Sequence, residues 1–502
     1  MTQRTLAAPA LPADLYRAGQ VRELDRIAIQ ERGIPGYTLM NRAGWAVFDA
    51  VKSRFADARR LVVVCGKGNN AGDGYVVARL ARQAGLDVHV LHLSDPGGLQ
   101  GDALTAYQDA ETAGVPMQSF DPALLAAAEV IVDAIFGTGL ERDVEGAWAE
   151  AIERINAQPA RVVAVDIPSG LHADRGAILG AAVRADVTVS FIALKQGLFS
   201  GQGPDCCGEI LFNDLRVPAD IFADINPSCL RYAGEDLERL LPRRSRSSHK
   251  GHNGHVLVVG GDHGMGGAAR MAAEAAARCG AGLTSIATRA GHAALQAAMR
   301  PELMFHGVDD PEALQPLLER ATVVAVGPGL GRGDWGRAML AAVLAAGRPI
   351  VADADALNLL AEQPMQRDDW VLTPHPGEAG RLLGISTSAV QADRFKAVAE
   401  LAGRYGGACV LKGAGSLVAA PGDPLVLCSA GNPGMGSGGM GDVLTGVIAS
   451  LLGQGLTLAA AARAGVYVHA RAADLAAEHG ERGMLALDLL PHLRQLVNPQ
   501  AP

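Results

Sequence analysis

The densest group of residues that can do chemistry is a glycine-rich segment, Gly431 to Gly441, followed directly by Asp442. Glycine loses more conformational freedom on folding than other residues, so this density indicates a backbone that wraps closely around a bound group. The apolar run from Val443 predicts a helix, and the N–H groups at a helix N-terminus stabilise a transferring phosphoryl group. Asp442 is then expected in the first turn of that helix, as a proton acceptor.

Further turns of the second half suit phosphate or proton chemistry. Lys412 ends an apolar run and precedes Gly413, which favours contact between its ammonium group and a phosphate. His375 lies between two prolines after another apolar run, where it either binds a ligand or only supports the loop. Two more turns, Gly327 to Gly331 and Asp353 to Leu357, follow apolar runs of the same kind.

The first half contains a glycine turn that suits a dinucleotide. Gly66 to Gly74 follows an apolar run, and we expect a helix over Tyr75–Ala84 whose N-terminus approaches a diphosphate. The spacing also fits an ordinary Rossmann dehydrogenase, and a tight turn without a ligand is a further alternative.

Two aspartates and a lysine follow other apolar runs of the first half. Asp133 and Asp166 end predicted strands, and Lys195 comes shortly after a third. Ligands of open α/β sheets bind beyond the carboxyl ends of the strands, so we expect these side chains near the site. A carboxyl group there can donate and accept a proton, and we assign this role to Asp133. The alternative for Asp133 is a helix cap or an ion ligand.

Short β-branched runs alternate with longer alanine-rich segments, which predicts parallel strands joined by crossover helices. We predict two α/β domains, residues 1–224 and 225–502. Val443–Ala462 has no charged residue, but glycines interrupt it, so we expect two buried helices there and no membrane span. The predicted strands are Leu61–Cys65, Val88–Leu93, Val130–Asp133, Val162–Asp166, Val187–Phe191, His255–Gly260, Leu283–Thr288, Thr322–Val326, Ile350–Asp353, Trp370–Leu372 and Ala408–Leu411.

Composition argues against several classes of protein. A net charge of -9 and only 4% aromatic residues argue against binding to nucleic acid. Seven cysteines without paired metal-binding spacing indicate a reducing compartment. The first residues lack the continuous apolar segment of a secretory signal. We therefore expect a cytoplasmic protein without nucleic-acid or membrane partners, and we also expect a homo-oligomer.

The turns of the first half together resemble the NAD(P)H-hydrate epimerase family, as do the segments Val21 to Asp25 and Leu39 to Gly44. The resemblance implies a Rossmann-like doubly wound sheet that binds hydrated NADH and NADPH. Ala71 replaces a glycine of the family motif, and its methyl group requires only a negative φ. The implied substrate-binding residues are Asn69, Asn70, Ala71, Gly72, Asp73, Gly137, Thr138, Gly139, Leu140, Glu141, Arg142, Asp143 and Asp166, and the implied potassium ligands are Asn70, Asp133 and Ser169.

The second half, from His249 to the glycine-rich segment, resembles the NAD(P)H-hydrate dehydratase family. The resemblance implies a ribokinase-like α/β fold, ADP as co-substrate and Mg²⁺ as cofactor. It implies that Ala268, Gly329, His375 and Asp442 contact the hydrate, and that Lys412, Gly413, Ala414, Gly415, Ser416 and Gly441 hold the nucleotide.

These resemblances imply metabolite repair in two steps. The hydrate carries a hydroxyl on carbon 6 of the nicotinamide ring, and the epimerase interconverts its R and S forms. In the dehydratase, Asp442 takes the hydroxyl proton while the oxygen attacks the terminal phosphate of ADP, which gives AMP and phosphate. The alternatives are a thiamine-precursor type of small-molecule kinase fused to a non-catalytic dinucleotide-binding module, and a conventional dehydrogenase.

Overall fold

The computed structural model describes residues 11–499 of the 502-residue chain. Contacts divide these residues into two compact units, and the boundary along the chain lies between Leu230 and Arg231. This division lies close to the boundary expected after residue 224. Both units are α/β, and each is described by itself.

The first unit alternates strands and helices along most of its length. A π-helical turn, Ile27–Glu31, follows its first helix. The elements are β1 (Asp14–Tyr16), α1 (Ala18–Arg26), α2 (Gly36–Arg54), β2 (Arg60–Cys65), α3 (Asn69–Gln83), β3 (Asp87–His92), α4 (Gly101–Thr112), β4 (Met117–Ser119), α5 (Pro122–Ala126), β5 (Val130–Ala134), α6 (Gly146–Asn156), β6 (Arg161–Val165), β7 (Val187–Phe191), β8 (Leu194–Lys195), α7 (Gly203–Cys207) and β9 (Glu209–Asn213). Strand β10 (Cys229–Tyr232) contains the boundary between the units.

Seven strands of the first unit form a parallel sheet in the order β4-β3-β2-β5-β6-β7-β9. Successive side chains of a strand point to opposite faces. Val63 packs into one apolar core, and its neighbours Val62 and Val64 pack into another. Both faces are therefore buried, which explains the uninterrupted apolar strands. The strand order reverses between β2 and β5, so the loops after these strands form the switch point at which such sheets bind ligands.

The second unit is also an open sheet with connecting helices. Its elements are α8 (Leu237–Leu240), β11 (His255–Val259), α9 (Gly266–Arg278), β12 (Leu283–Thr288), α10 (Ala290–Met299), β13 (Met304–Gly307), α11 (Pro311–Arg320), β14 (Val323–Val326), α12 (Asp334–Ala345), β15 (Ile350–Ala352), α13 (Ala354–Glu362), β16 (Trp370–Leu372), α14 (Pro376–Leu383), α15 (Thr387–Ala392), α16 (Arg394–Tyr405), β17 (Ala408–Leu411), β18 (Ser416–Ala419), β19 (Val426–Cys428), α17 (Met440–Gly453), α18 (Leu458–Ala476) and α19 (Leu490–Leu496).

The strands of the second unit follow the order β13-β12-β11-β14-β15-β16-β17-β18-β19. They are parallel from β13 to β17, and β17, β18 and β19 are antiparallel. The order reverses between β11 and β14, so this unit has its own switch point. Its glycine-rich segment ends at α17, which packs against α9 and α18.

All the strands predicted from the sequence are present, with ends shifted by at most one residue. The uncharged run Val443–Ala462 forms the end of α17 and the start of α18, as expected. Within residues 11–499, no helix is long and apolar enough to cross a membrane.

The predicted start of the third helix is wrong. The helix begins at Asn69 and not at Tyr75, so most of the expected glycine loop is helical. Its glycines allow close packing: a Cβ on Gly72 would lie 2.5 Å from Met40 Cε, and one on Gly74 would lie 2.6 Å from Ala134 Cβ. The sequence predicts that these glycines let a loop approach a diphosphate, whereas Gly72 and Gly74 bring this helix against its neighbours.

Candidate active sites

A cavity of about 660 Å³ opens at the switch point of the first unit. Its walls come from α1, α2, the start of α3 and the loop after β5. The loops after β2 and β5 touch there, because a Cβ on Gly66 would lie 2.1 Å from the Ile135 carbonyl oxygen. Only glycine fits at that position, which lets the two loops pack against each other.

Most of the substrate-binding residues predicted for the first unit line this cavity, and three do not. Ala71 is buried in α3 with the negative φ expected of it, and Gly72 packs against Met40. Asp143 is exposed outside the cavity wall. The predicted residues in the lining are Asn69, Asn70, Asp73, Gly137, Thr138, Gly139, Leu140, Glu141, Arg142 and Asp166.

Asp133 lies at the end of β5, beneath the cavity and not in its lining. Its side chain is fully buried, and its carboxylate accepts hydrogen bonds from Ser169 Oγ at 2.6 Å and from Ser169 N at 2.8 Å. Ile135 N also donates to it, at 3.2 Å. A group that transfers a proton must reach the substrate. The position of Asp133 therefore does not support the predicted acid–base role, and its carboxylate fixes the turn that carries Ser169.

The implied potassium ligands surround the loop after β5. Ser169 Oγ accepts a hydrogen bond from Phe136 N at 2.8 Å, and a Cβ on Gly137 would lie 3.5 Å from Asn70 Oδ1. Burial raises the pKa of Asp133 to about 6, and within residues 11–499 no cationic side chain forms an ion pair with it. Asn70 Nδ2 is buried without a hydrogen-bond partner in the same part of the chain. Oxygen donors around an uncompensated buried charge fit a hard cation such as potassium.

Lys195 and Asp166 form an ion pair at the cavity wall. The Lys195 side chain is 0% exposed, and its ammonium group donates to the Asp166 carboxylate, to Ser190 Oγ at 3.1 Å and to the Phe191 carbonyl at 3.2 Å. The Asp166 side chain is 16% exposed. Its backbone has a φ of 67°, a conformation that costs energy for a residue other than glycine and is common at functional sites. The carboxylate thus faces the cavity, with the lysine behind it.

Two more carboxylates line the same cavity. Burial raises the pKa of Asp25 to about 6, and the negative charge of Asp166 adds to the rise. Burial also raises the pKa of Asp73 well above its usual range, and the charges of Asp166 and Asp25 contribute. Lys195 opposes both shifts. The sequence places Lys195 near the site without assigning it a role. It gives no role to Asp25, although the four-residue spacing of Val21 and Asp25 puts both on one face of a helix.

In the second unit, four charged side chains meet beside the N-terminus of α17. Lys412 Nζ donates to Asp353 Oδ1 at 2.6 Å and lies 3.8 Å from Glu378 Oε2. Thr445 Oγ1 donates to Asp353 Oδ2 at 2.9 Å. A Cβ on Gly441 would lie 3.2 Å from Lys412 Nζ, so the ammonium group is adjacent to the first turn of the helix. That turn carries Asp442, as predicted.

The charged groups of this cluster shift one another's pKa values. Burial raises the pKa of Asp442 to about 7, Asp353 adds to the rise and Lys412 opposes it. Burial by itself would lower the pKa of Lys412, but Asp353 and Glu378 outweigh it and the pKa is raised. A carboxyl group with a pKa near neutrality can take up and release a proton under working conditions, which suits general acid–base catalysis.

His375 caps α14 at the edge of the cluster. Its Nδ1 accepts a hydrogen bond from Gly377 N at 2.9 Å, and its Nε2 lies 3.4 Å from Glu378 Oε1. Burial, together with the charges of Lys412 and Arg381, lowers the pKa of His375. A neutral imidazole with half of its surface exposed is therefore held beside the carboxylates, in a position compatible with both predicted roles.

Ala268 and Gly329 meet at the switch point of the second unit. Gly329 has a φ of 59°, and a Cβ built on it would lie 3.3 Å from Ala268 Cβ. The neighbouring Gly260 is equally restricted, since its Cβ would lie 2.1 Å from the Pro328 carbonyl oxygen. The loops after β11 and β14 therefore touch, as the loops do in the first unit.

The predicted nucleotide loop is the turn between β17 and β18, from Lys412 to Ser416, with Ala414 exposed at its tip. Gly413 and Gly415 have φ values of 135° and 64°, which favour glycine. Arg394, which sequence reasoning missed, is buried and donates to the carbonyls of Lys412 at 3.3 Å and of Gly415 at 3.2 Å. Its guanidinium group holds the turn in shape from the protein side.

Comparisons with known proteins agree with this division. A family model described as YjeF-related protein N-terminus matches residues 36–197, and one described as NAD(P)H-hydrate dehydratase matches residues 256–495. A solved ribokinase-like superfamily protein of Enterococcus faecalis V583 is 28% identical with a TM-score of 0.50, and the match covers 54% of this chain and 96% of that one. These matches confirm the predicted α/β folds, with a Rossmann-like first unit and a ribokinase-like second unit.

Two relatives match nearly the whole chain. The bifunctional NAD(P)H-hydrate repair enzyme Nnr of Coxiella burnetii is 50% identical over 486 residues, which cover 97% of this chain and 99% of the relative. The enzyme of the same name from Escherichia coli K12 is 45% identical over 492 residues, covering 98% and 95%. The chain belongs to the family of bifunctional NAD(P)H-hydrate repair enzymes, with an epimerase unit and a dehydratase unit. The predicted metabolite repair by an epimerase and a dehydratase is confirmed, and the alternative of a kinase fused to a non-catalytic module is not supported.

Proposed function

We propose that the first unit interconverts the R and S hydrates of NADH and NADPH, and that the second unit dehydrates the S form at the expense of ADP. The observation that carries the proposal is the presence of two separate carboxylate–lysine sites, one at a dinucleotide-sized cavity and one at a glycine-rich helix N-terminus. The first arrangement suits proton transfer, and the second suits a phosphoryl group.

In the epimerase unit, the residues in the cavity lining hold the hydrate, and Asp166 takes the acid–base role first expected of Asp133. A carboxyl group protonates the hydroxyl on carbon 6, which leaves as water while the lone pair of the ring nitrogen forms a double bond to carbon 6. Water then adds to the opposite face of this planar carbon and gives up a proton. The ion pair with Lys195 orients the Asp166 carboxylate for this exchange.

We propose that Asn70, Asp133 and Ser169 hold potassium in this unit. When bound, the ion would neutralise the buried charge of Asp133 and attract the diphosphate of the substrate. Asp133 is then an ion ligand and a support for the loop after β5, and its removal impairs binding and not the proton transfer itself.

In the dehydratase unit, Ala268, Gly329 and His375 contact the hydrate while Asp442 removes the hydroxyl proton. The oxygen attacks the β-phosphorus of ADP, and AMP leaves. Phosphate then departs from carbon 6 of the resulting phosphate ester with the electron pair of the C–O bond, and loss of a proton from carbon 5 restores the nicotinamide double bond. Hydroxide is a poor leaving group and phosphate a good one, which is the reason for this route.

Lys412 neutralises the charge that develops on the transferred phosphoryl group, because its ammonium group lies beside the N-terminus of α17. The turn from Gly413 to Ser416, together with Gly441, holds the nucleotide. Asp353 and Glu378 already pair with Lys412, so Mg²⁺ would enter with the nucleotide phosphates, where it supplies further charge neutralisation.

The proposal includes a cytoplasmic location and a homo-oligomer. The location is supported by the cysteines, since all seven are free and buried in the part of the chain that the structure describes. Light scattering of the purified protein measures the oligomeric state.

The proposal is tested by giving the purified protein the separated epimers of NADH hydrate with ADP, Mg²⁺ and K⁺. We expect absorbance of reduced nicotinamide to return from both epimers, with AMP and phosphate formed in equal amounts. Replacing K⁺ with choline should slow recovery from the R epimer alone. ATP in place of ADP measures the nucleotide preference. A stable phosphorylated product without recovery of NADH would contradict the proposal and favour a kinase.

A further inference from the structure

Inversion at carbon 6 requires proton transfer on both faces of the nicotinamide ring, and one carboxylate reaches only one face. The hydroxyl leaves from one face of the ring, and the new hydroxyl is attached to the other face. A proton must be delivered on the first face and removed on the second. With the substrate bound in one orientation, a single wall of the cavity serves only one of these faces, so a second proton-transfer group is needed.

Helix α1 brings such a group to the cavity. Val21, Asp25 and Ile29 recur every four residues and all line the cavity, which places them on one face of the helix and its π-helical continuation. The start of the helix is held in place, because Ala18 N donates to Asp174 Oδ1 at 2.6 Å. On the opposite side of the helix, Glu23 is exposed and pairs with Arg26.

Asp25 comes from a different element than Asp166, and it lines the same cavity as Asp166 and Lys195. Among the described residues, no hydrogen bond joins the two carboxylates, whereas Asp166 is tied to Lys195 and to Phe191 N. Burial raises the pKa of Asp25 to about 6, so both its acid and its base forms are accessible near neutral pH. These properties are those of a second acid–base partner.

We propose that Asp25 is the second proton-transfer residue of the epimerase and acts on the face of the nicotinamide ring opposite to Asp166. The proposal rests on the proposed epimerase function. When Asp166 donates a proton to the leaving hydroxyl, Asp25 accepts a proton from the water that adds on the other face. In the reverse direction the two carboxyl groups exchange roles.

The test follows oxygen exchange and inversion separately in H₂¹⁸O, with the separated epimers of NADH hydrate and no nucleotide. Wild-type protein should place ¹⁸O in both epimers and interconvert them. In Asp25→Asn, inversion should fall about 100-fold. Exchange without inversion should persist for one epimer, whose hydroxyl faces Asp166, and fall for the other. Glu23→Gln, a matched change on the exposed side of α1, should behave as wild type.

Each other outcome contradicts the proposal. Inversion by Asp25→Asn within about threefold of wild type would show that no proton passes through Asp25. An equal loss of exchange from both epimers, with the thermal stability unchanged, would show that Asp25 only positions the substrate. Failure of the wild-type protein to invert either epimer above the rate without protein would instead contradict the epimerase function itself.

Discussion

Each unit places one lysine among several carboxylates, but the partner that is exposed differs between the two ion pairs. In the first unit Lys195 is 0% exposed and Asp166 is 16% exposed, so the carboxylate faces the cavity with the lysine behind it. In the second unit Asp353 is 2% exposed and Lys412 is 18% exposed, so the lysine faces outward with the carboxylate behind it. The same ion pair thus presents a negative group in one site and a positive group in the other.

This difference matches the chemistry assigned to each site. Epimerisation moves protons to and from an oxygen atom, for which a carboxylate is suited. Phosphoryl transfer accumulates negative charge on oxygen atoms, which an ammonium group stabilises. The partner behind each reactive group fixes its position, and it also compensates for a charge that would be costly to bury alone.

The largest effect should follow from removing the carboxylate of Asp442, in the first turn of α17. Asp442→Asn should lower the rate of dehydration about 1000-fold, because an amide does not accept the hydroxyl proton. Epimerisation by the same protein should keep the wild-type rate. Both rates come from one preparation, by chromatography of the epimers and by absorbance of NADH. Equal loss of both activities would contradict the assignment of Asp442 to the second unit alone.

Removing the outward-facing lysine should be the next largest change. Lys412→Met should lower kcat for dehydration about 100-fold and raise KM for the nucleotide, since the phosphoryl charge loses its counterion. It should also lower the free energy of unfolding by about 3 kcal/mol, because Asp353 is left buried without its partner.

Adding Asp353→Asn to this variant separates the two effects. The double variant should regain most of the stability in denaturant unfolding but none of the activity. Lys396→Met, which changes an exposed lysine on α16, is the matched control and should alter neither. Recovery of activity in the double variant would show that Lys412 only offsets the charge of Asp353.

The raised pKa of Asp442 predicts a moderate pH effect. The pKa of Asp442 is about 7, so at lower pH its carboxyl group is protonated and does not accept a proton. The kcat/KM for dehydration should therefore rise about tenfold per pH unit at acidic pH and level off above neutrality. Rates from pH 5.5 to 8.5 measure this profile. A profile already flat at pH 5.5 would contradict a proton acceptor with this pKa.

Substitutions at the helix N-termini of the two sites should have smaller effects on activity and stability, and the effects should differ between the sites. Gly439 has a φ of 91°, and a Cβ there would lie 2.6 Å from Met271 Cε, so Gly439→Ala strains the backbone before α17. It should lower dehydration about tenfold and stability by about 1 to 2 kcal/mol. Steady-state kinetics and denaturant unfolding measure both. Wild-type dehydration in this variant would show that the exact shape of this segment is unimportant.

Ala71→Gly, at the corresponding helix of the first unit, should have the smallest effect. Ala71 is helical and buried, so glycine there costs about 1 kcal/mol of stability through backbone entropy. Epimerisation should be unchanged, because the Ala71 side chain lies outside the cavity lining. A tenfold change in KM for the hydrate would contradict this placement.

The buried strands and the turns that follow them were predictable, because parallel strands covered on both faces are continuous apolar runs. The short edge strands β4 and β13 were not, since they lack such runs. The start of α3 was misread because the same glycines serve either a loop or close helix packing, and only the contacts of Gly72 and Gly74 distinguish these uses.

Residue roles were less predictable than motif positions. Asp133 lies at the end of one strand and Asp166 directly after another, but only the structure shows that Asp133 is buried beneath the cavity and Asp166 faces it. Asp25 and Lys195 lie far apart in the sequence, and tertiary folding alone brings both into the lining of one cavity. Arg394 shows the same limit, since its contacts with the turn after β17 join residues that no local pattern connects.

The central claim is that two independent sites carry out consecutive steps of one repair. Its most direct test mixes equal amounts of Asp166→Asn and Asp442→Asn proteins and supplies the R epimer of NADH hydrate with ADP, Mg²⁺ and K⁺. Neither variant alone should return NADH faster than the spontaneous interconversion allows. The mixture should return it at a rate approaching that of wild type, because the second variant supplies the epimer that the first one dehydrates. No recovery in the mixture, or full recovery by Asp166→Asn alone, would contradict the claim.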